Sequence, residues 1–280
     1  MALTISIANN ISQLQMPLSP EIKTIPSMIA NFTRAGLTFE LINALTRGET
    51  GRDMAEDGKR LLKELGKTSH VEINGTENIP KDSGGLIVFN HPNMDVLVPA
   101  FLTLMIKIKD IGKVNGKLLW GSEVPLFGKF NESFPVPVSI KFIKRFHNLY
   151  YKNVISVPMS KGRPDYELGR FSALRKAINS LKNGDFVLVS PEGHVEVKNT
   201  ISPLDSFHNG SGGLSIMATK LRLPILPVGI WSLDGSKRIN LNIGAPYYSK
   251  AKDGKSASIE AMSKIADILP LELRGPFLLK

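Results

Sequence analysis

The stretch Gly85-Leu86-Ile87-Val88-Phe89-Asn90-His91-Pro92-Asn93-Met94-Asp95 passes from four successive apolar residues to a polar cluster. A short continuous apolar run closed by Asn-His-Pro has the pattern of a buried strand handing over to a turn. An apolar helical pattern, Asp95–Ile108, follows. The same succession recurs downstream. Strands are expected at Val71–Ile73, Leu86–Phe89, Ile155–Pro158, Phe186–Val189, Ile225–Ile230 and Ile239–Ile243. Helices are expected at Leu168–Lys182, Gly212–Leu221 and Ile259–Leu269, the last capped by Ser258. This alternation implies an α/β fold with a largely parallel central sheet flanked by helices.

The beginning of the chain reads differently. From Ile25, the apolar residues Met28, Phe32, Ala35, Phe39 and Ile42 recur at spacings of three and four, one face of a helix. Leu37, Leu41 and Leu45 widen that face, and Arg47-Gly48 ends it. A second helix fits Asp53–Leu65, with Leu61, Leu62 and Leu65 inward and Gly66 as its stop. The chain therefore divides into an N-terminal helical segment, 1–66, and an α/β domain, 67–280. The segment suits either a cap over the core or a membrane-surface anchor.

The 280 residues carry a formal net charge of +10 and no cysteine. Disulfides, thiolate metal sites and thiol catalysis are excluded. The charge points to a polyanionic partner: nucleic acid, an anionic membrane or a phosphorylated compound. Nucleic acid is not expected, because the basic residues are dispersed and no zinc-finger or aromatic RNA-binding pattern is present. MALTISIANNISQ lacks a basic start and a continuous apolar core, so no secretory signal is read there. Val96 to Ile106 is only half of the roughly 20 residues a spanning helix needs. A cytoplasmic protein, peripheral at a membrane surface, is the expectation.

In a parallel sheet, ligands bind outside the carboxyl ends of the strands. Asn90 and His91 stand at such an end, and Pro92 suits a first helical position. Asp95 follows one turn on. A carboxylate there can accept a hydrogen bond from one imidazole nitrogen, fix the tautomer, and stabilise the cation as the other nitrogen takes a proton. His91 capping the helix, with Asp95 near the positive end of its dipole, fits the same residues. A second apolar strand, Phe186–Val189, runs into Ser190-Pro191-Glu192-Gly193-His194. Ser206-Phe207-His208-Asn209-Gly210-Ser211-Gly212-Gly213 then opens a helix, and Leu223-Pro224-Ile225-Leu226-Pro227-Val228 leads into the next strand.

The order of these blocks resembles the glycerolipid acyltransferase family, the lysophosphatidate and glycerol-3-phosphate acyltransferases. That family has an N-H-x-x-x-x-D block after a strand, then F-P-E-G-T-R-S, a Gly-rich helix start and a P-x-x-P-V strand. Asn90-His91…Asp95, Pro191-Glu192-Gly193, Gly210–Gly213 and Pro224-Ile225-Leu226-Pro227-Val228 match in order, and Val71 to Pro80 resembles the lead-in strand and turn. The resemblance covers about Val71 to Val228.

Two departures stand out. Three residues separate His91 from Asp95, against the family's four. SPEGHVEVK replaces F-P-E-G-T-R-S, so Val195 stands where the family's phosphate-holding arginine is expected. His194, Lys198, Lys161 and Arg163 are candidate substitutes.

The resemblance implies that His91 is a general base, drawing a proton from an acceptor hydroxyl that attacks the thioester of acyl-CoA or acyl carrier protein. Asp95 would orient His91, Glu192 would orient the acceptor's hydroxyls, and Gly193 would admit close approach of the backbone. No cofactor, metal or covalent acyl-enzyme is implied. The partners are the acyl donor thioester, a glycerolipid acceptor and an anionic membrane.

Val96, Leu97, Val98, Phe101, Leu102, Leu104 and Met105 fit either an acyl-chain groove or plain core. Three rivals remain. One is a metal-dependent hydrolase with ligands among His91, Asp95, His194, Glu196 and His208. Another is a serine hydrolase around Gly210-Ser211-Gly212, which lacks G-x-S-x-G. The third is a membrane-associated lipid-binding protein that keeps the fold without catalysis. His70 and His147 are assigned to loops or amphipathic surface, Trp120 and Trp231 to packing, and Arg274 to pairing with a carboxylate.

Overall fold

The computed structural model describes residues 36–65, 70–122, 140–159, 166–196, 200–233 and 237–278. Two helices come first, α1 (Gly36–Arg47) and α2 (Met54–Leu65). Next are β1 (His70–Asn74), β2 (Gly85–Phe89) and α3 (Met94–Lys107), which ends in a π-helical turn, Ile108–Gly112. The order continues with β3 (Gly116–Gly121), α4 (Ile140–Leu149), β4 (Val154–Val157), α5 (Tyr166–Lys182) and β5 (Phe186–Val189). Last come α6 (Asn209–Lys220), β6 (Ile225–Trp231), β7 (Arg238–Ile243) and α7 (Gly254–Ala266).

The strands form one seven-stranded sheet in the order β1-β7-β6-β2-β5-β3-β4. Every neighbouring pair is parallel except β6–β7. The opening stretch lies at the centre. β2 pairs with β5 through Val88↔Val189 and with β6 through Phe89↔Val228, and all five of its residues are buried. Its side chains alternate between two cores. Ile87 and Phe89 pack with Leu45, Met54, Phe101 and Leu104 on the side of α1, α2 and α3. Leu86 and Val88 pack with Leu181, Leu214, Met262 and Ile265 on the side of α5, α6 and α7. Burial on both faces is why β2 reads as a continuous apolar run.

α1 and α2 pack on the first of these cores through Ala44, Leu45 and Met54. Arg52 donates to both carboxylate oxygens of Asp57, at 2.7 and 2.6 Å, and to Glu40 at 2.8 Å. Tyr150 Oη donates to the same Asp57, so an ionic cluster ties α2 to the end of α4. Met54 N donates to Asn153 Oδ1, a second tie. The buried face of α2 consists of Met54, Ala55, Asp57 and Gly58, whereas Leu61 and Leu62 are only partly buried. Ionic anchoring at the N-terminal half of α2 sets that rotation. Residues 25–35 and Gly66 lie outside the described residues, as do the side chains of Leu37, Phe39, Ile42 and Leu65.

Other expectations shift. β3 and α4 are additional elements; β3 has a glycine at each end and Lys117 beside its apolar residues, so neither a continuous apolar run nor a clean alternation marks it. Pro92 stands before α3, not in its first turn, because the Asn93 side chain accepts from Val96 N and caps the helix. Asp253 caps α7 by accepting from Ser256 N. Ser258 is therefore inside that helix and fully buried. His147 is buried as well, not on the surface. Arg274 donates to the Leu269 and Asp267 carbonyls, not to a carboxylate. Val96, Leu97, Phe101, Leu104 and Met105 belong to the core.

Candidate active site

β2 ends where the chain needs a new hydrogen-bonding partner, and Asn90 supplies it with its side chain. The carboxamide is almost fully buried. Its Oδ1 accepts from Ile230 N at 2.8 Å, and its Nδ2 donates to Ile230 O at 2.8 Å. The second Nδ2 hydrogen goes to Glu196 Oε1, also at 2.8 Å. The side chain thus extends the β2–β6 ladder by one rung and fixes the point from which His91 departs.

His91 is held through its backbone from two sides. Its N–H donates to Glu192 Oε2 at 2.9 Å, and its carbonyl accepts from Glu196 N at 2.8 Å. The partly buried imidazole has Nδ1 3.3 Å from Pro92 O. A hydrogen on Nδ1 directed at that carbonyl leaves Nε2 as the basic nitrogen. Burial pushes the pKa of His91 below its usual value, and the nearby His194 acts in the same sense. The ring is a neutral base at neutral pH.

Asp95 lies in the first turn of α3, with its carboxyl pushed up by burial. It makes no hydrogen bond to His91. His91 lies outside the helix, ahead of the Asn93 cap, so the i, i+4 relation of a shared helix does not apply.

The segment after β5 folds beneath His91. Glu192 has no exposed surface. Its Oε1 accepts from Ser202 N at 2.9 Å, while Oε2 takes the His91 N–H. Glu192 therefore braces the backbone of the base from inside, with both carboxylate oxygens engaged. His194 is exposed; its Nδ1 lies 2.7 Å from Glu192 O and its Nε2 3.2 Å from Ser202 Oγ. Gly193 has φ of 65°, and a Cβ there would stand 2.4 Å from His208 Cδ2. Only glycine fits both the left-handed backbone and the imidazole against it. Lys161, Arg163 and Lys198 lie outside the described residues.

Glu196 is a member of this site that the sequence suggested only as a metal ligand. It is 7% exposed, and its carboxyl is pushed up to about 8, first by burial and then by the charge of Glu192. Nothing in HVEVK marks it, because the burial comes from packing under β2 and β6. Among the described residues, no three histidine or acidic side chains gather as metal ligands.

The glycine-rich stretch turns out to serve helix packing. A Cβ at Gly212 would meet Gly254 O at 1.8 Å, so α6 and α7 touch backbone to backbone. Ser211 and Ser258 both donate to His208 O. His208 N donates to Pro191 O at 2.9 Å, which locks the start of α6 to the loop under His91. Beside Gly193 and His208 opens a cleft of about 450 Å³, lined by Tyr166, Glu167, Arg170, His208, Asn209 and Gly210. Arg170 stacks on Tyr166 at 5.3 Å and donates to its hydroxyl.

Residues 70–231 match the family model described as Acyltransferase. That span runs from β1 to the end of β6 and contains Asn90, His91, Asp95, Glu192 and Glu196. Among solved structures, the chain is similar to the crystal structure of the 1-acyl-sn-glycerophosphate (LPA) acyltransferase PlsC from Thermotoga maritima. The two are 23% identical over 85% of this chain and 91% of that one, with a TM-score of 0.45. No curated protein sequence gives a significant match. With more than half of its length matching the family model, and with the buried strand, histidine turn and Pro-Glu-Gly loop inside that match, the chain belongs to the acyltransferase family.

Proposed function

We propose that the protein moves a fatty acyl group from an acyl thioester to a hydroxyl of a glycerolipid-type acceptor, glycerol-3-phosphate or a lysophospholipid. His91 is the general base. The observation that carries this reading is an imidazole at the carboxyl end of the central strand, its backbone gripped on both sides by Glu192 and Glu196. His91 Nε2 draws the proton from the acceptor hydroxyl as its oxygen attacks the thioester carbonyl. The tetrahedral adduct collapses, the C–S bond breaks, and the thiolate of coenzyme A or acyl carrier protein takes that proton back. Because a thioester is already activated, positioning and one base supply most of the acceleration.

Asp95, in the first turn of α3, is the carboxylate proposed to support the imidazolium. His194, Lys161, Arg163 and Lys198 are the groups proposed to hold an acceptor phosphate, with Arg170 in the adjoining cleft as a further one. Work at an anionic membrane surface follows from the net charge of +10 and from Leu168, Phe171 and Leu174, an exposed apolar stripe on α5. No described helix is long and apolar enough to cross a membrane.

The test is acyl transfer read by mass spectrometry, using acyl-CoA or acyl carrier protein donors. The acceptors are glycerol-3-phosphate, lysophosphatidate and uncharged lysolipids. Product is expected with wild type and lost by roughly a hundredfold or more with His91→Ala. Activity that survives His91→Ala removes the mechanism, and no product with any pair removes the function.

A further inference from the structure

Glu192 and Glu196 are two carboxyls buried below one histidine, yet they do different work. Glu192 spends both oxygens on backbone N–H groups, those of His91 and Ser202. Glu196 instead receives the Asn90 carboxamide on its side chain and gives its own N–H to His91 O. Asn90 in turn is bonded in both directions to Ile230 of β6. A continuous chain of hydrogen bonds therefore runs from the sheet through Asn90 and Glu196 to the backbone of the base. Both Asn90 Nδ2 hydrogens are used, and Oδ1 accepts once.

We propose that Glu196 is a positioning residue for His91, clamping the Asn90-His91 turn to β6 through its side-chain bond to Asn90 and its backbone bond to His91. The proposal rests on His91 being the base. A protonated carboxyl still offers its carbonyl oxygen to Asn90 Nδ2, so the clamp is complete in the uncharged form. Removing the proton places a second charge next to Glu192 in a buried site, and the mutual repulsion loosens the loop. Among the described residues, the titratable groups around Glu196 are Glu192 and His194 on its own loop and His91 at the end of β2. Of these, Glu192 opposes its ionisation.

The direction is fixed by these contacts. Glu196 holds its proton at neutral pH and loses it as the pH rises through about 8. Catalysis by a clamped His91 should therefore decline on the alkaline side. Glu196→Gln keeps the shape and the accepting oxygen but has no proton to lose. Glu196→Ala removes the acceptor and leaves one Asn90 hydrogen unpaired in a buried site.

The experiment measures kcat and KM across the pH range for wild type, Glu196→Gln and Glu196→Ala. In parallel, the ring of His91 is titrated by NMR on histidine-labelled protein, assigned with His91→Ala. Glu196→Gln should lack the alkaline decline that wild type shows. Glu196→Ala should lose kcat by about tenfold or more with KM little changed, and its His91 should titrate nearer the ordinary value as the turn admits water. A folded Glu196→Ala with wild-type kcat and His91 titration overturns the proposal. If Glu196→Ala does not fold, Glu196→Gln decides: an alkaline limb identical to wild type overturns it. Should no acceptor be acylated by wild type, the function fails, while the His91 titrations still decide whether Glu196 positions that ring.

Discussion

Replacing His147 by leucine should remove a large part of the protein's sensitivity to mild acid. His147 lies on α4 with its ring 6.0 Å from that of Trp120, and only 6% of the residue is exposed. Neither ring nitrogen has a hydrogen-bond partner, and burial alone pushes its pKa down to about 4. The unfolded chain titrates near the ordinary value of about 6.5.

A pKa depressed in the folded state means that stability is whole above the unfolded value. It is lost as pH falls through the window between the two. At about pH 5 nearly every unfolded His147 is protonated and nearly every folded one is not, which lowers stability by about 2 kcal/mol relative to about pH 7.5. Leucine neither titrates nor leaves buried nitrogens unpaired. The assay is urea unfolding of wild type and His147→Leu at both pH values. The wild type should lose about 2 kcal/mol more than the variant between them, and the variant should be at least as stable at the higher pH. The other titrating groups are shared and cancel in the comparison. Equal losses in the two proteins refute the reasoning.

Three further outcomes are expected. Asn90→Ala strips the Ile230 N–H and carbonyl of their partner and should lower stability by about 3 kcal/mol, with transferase activity lost at temperatures where circular dichroism still shows folded protein. Gly193→Ala needs a left-handed backbone and collides with the His208 ring; a loss of about 1–3 kcal/mol by urea unfolding and a fall in kcat are expected. Asp95→Asn should reduce kcat far less than His91→Ala, because His91 already has Pro92 O beside Nδ1. An Asp95→Asn loss equal to that of His91→Ala would falsify that ordering.

Much was legible in the chain itself. Phe186–Val189 was read to the residue and Gly85–Phe89 to within one, since a strand buried on both faces must be apolar throughout, and the turn chemistry after each marks its end. Family membership was visible because short blocks kept their order around those strands. β3 and α4 were missed: the apolar and polar residues of β3 follow no clean period. Ser258 looked like a cap because a serine before an apolar run usually is one. Asp253, five residues earlier, does that work, and Ser258 reaches His208 O from another element.

What the sequence by itself determined is the alternation of elements, the position of His91 at the end of a buried strand, and the absence of thiol chemistry. Local propensity, hydrophobic period and composition carry that information without reference to distant residues. Only the tertiary structure decided what each polar residue does. Glu192 turned inward to hold the His91 N–H, Glu196 met Asn90 across 106 positions, and His147 lost contact with water. A hydrogen bond or a desolvation belongs to the partner as much as to the residue, and the partner is chosen by how the sheet is assembled.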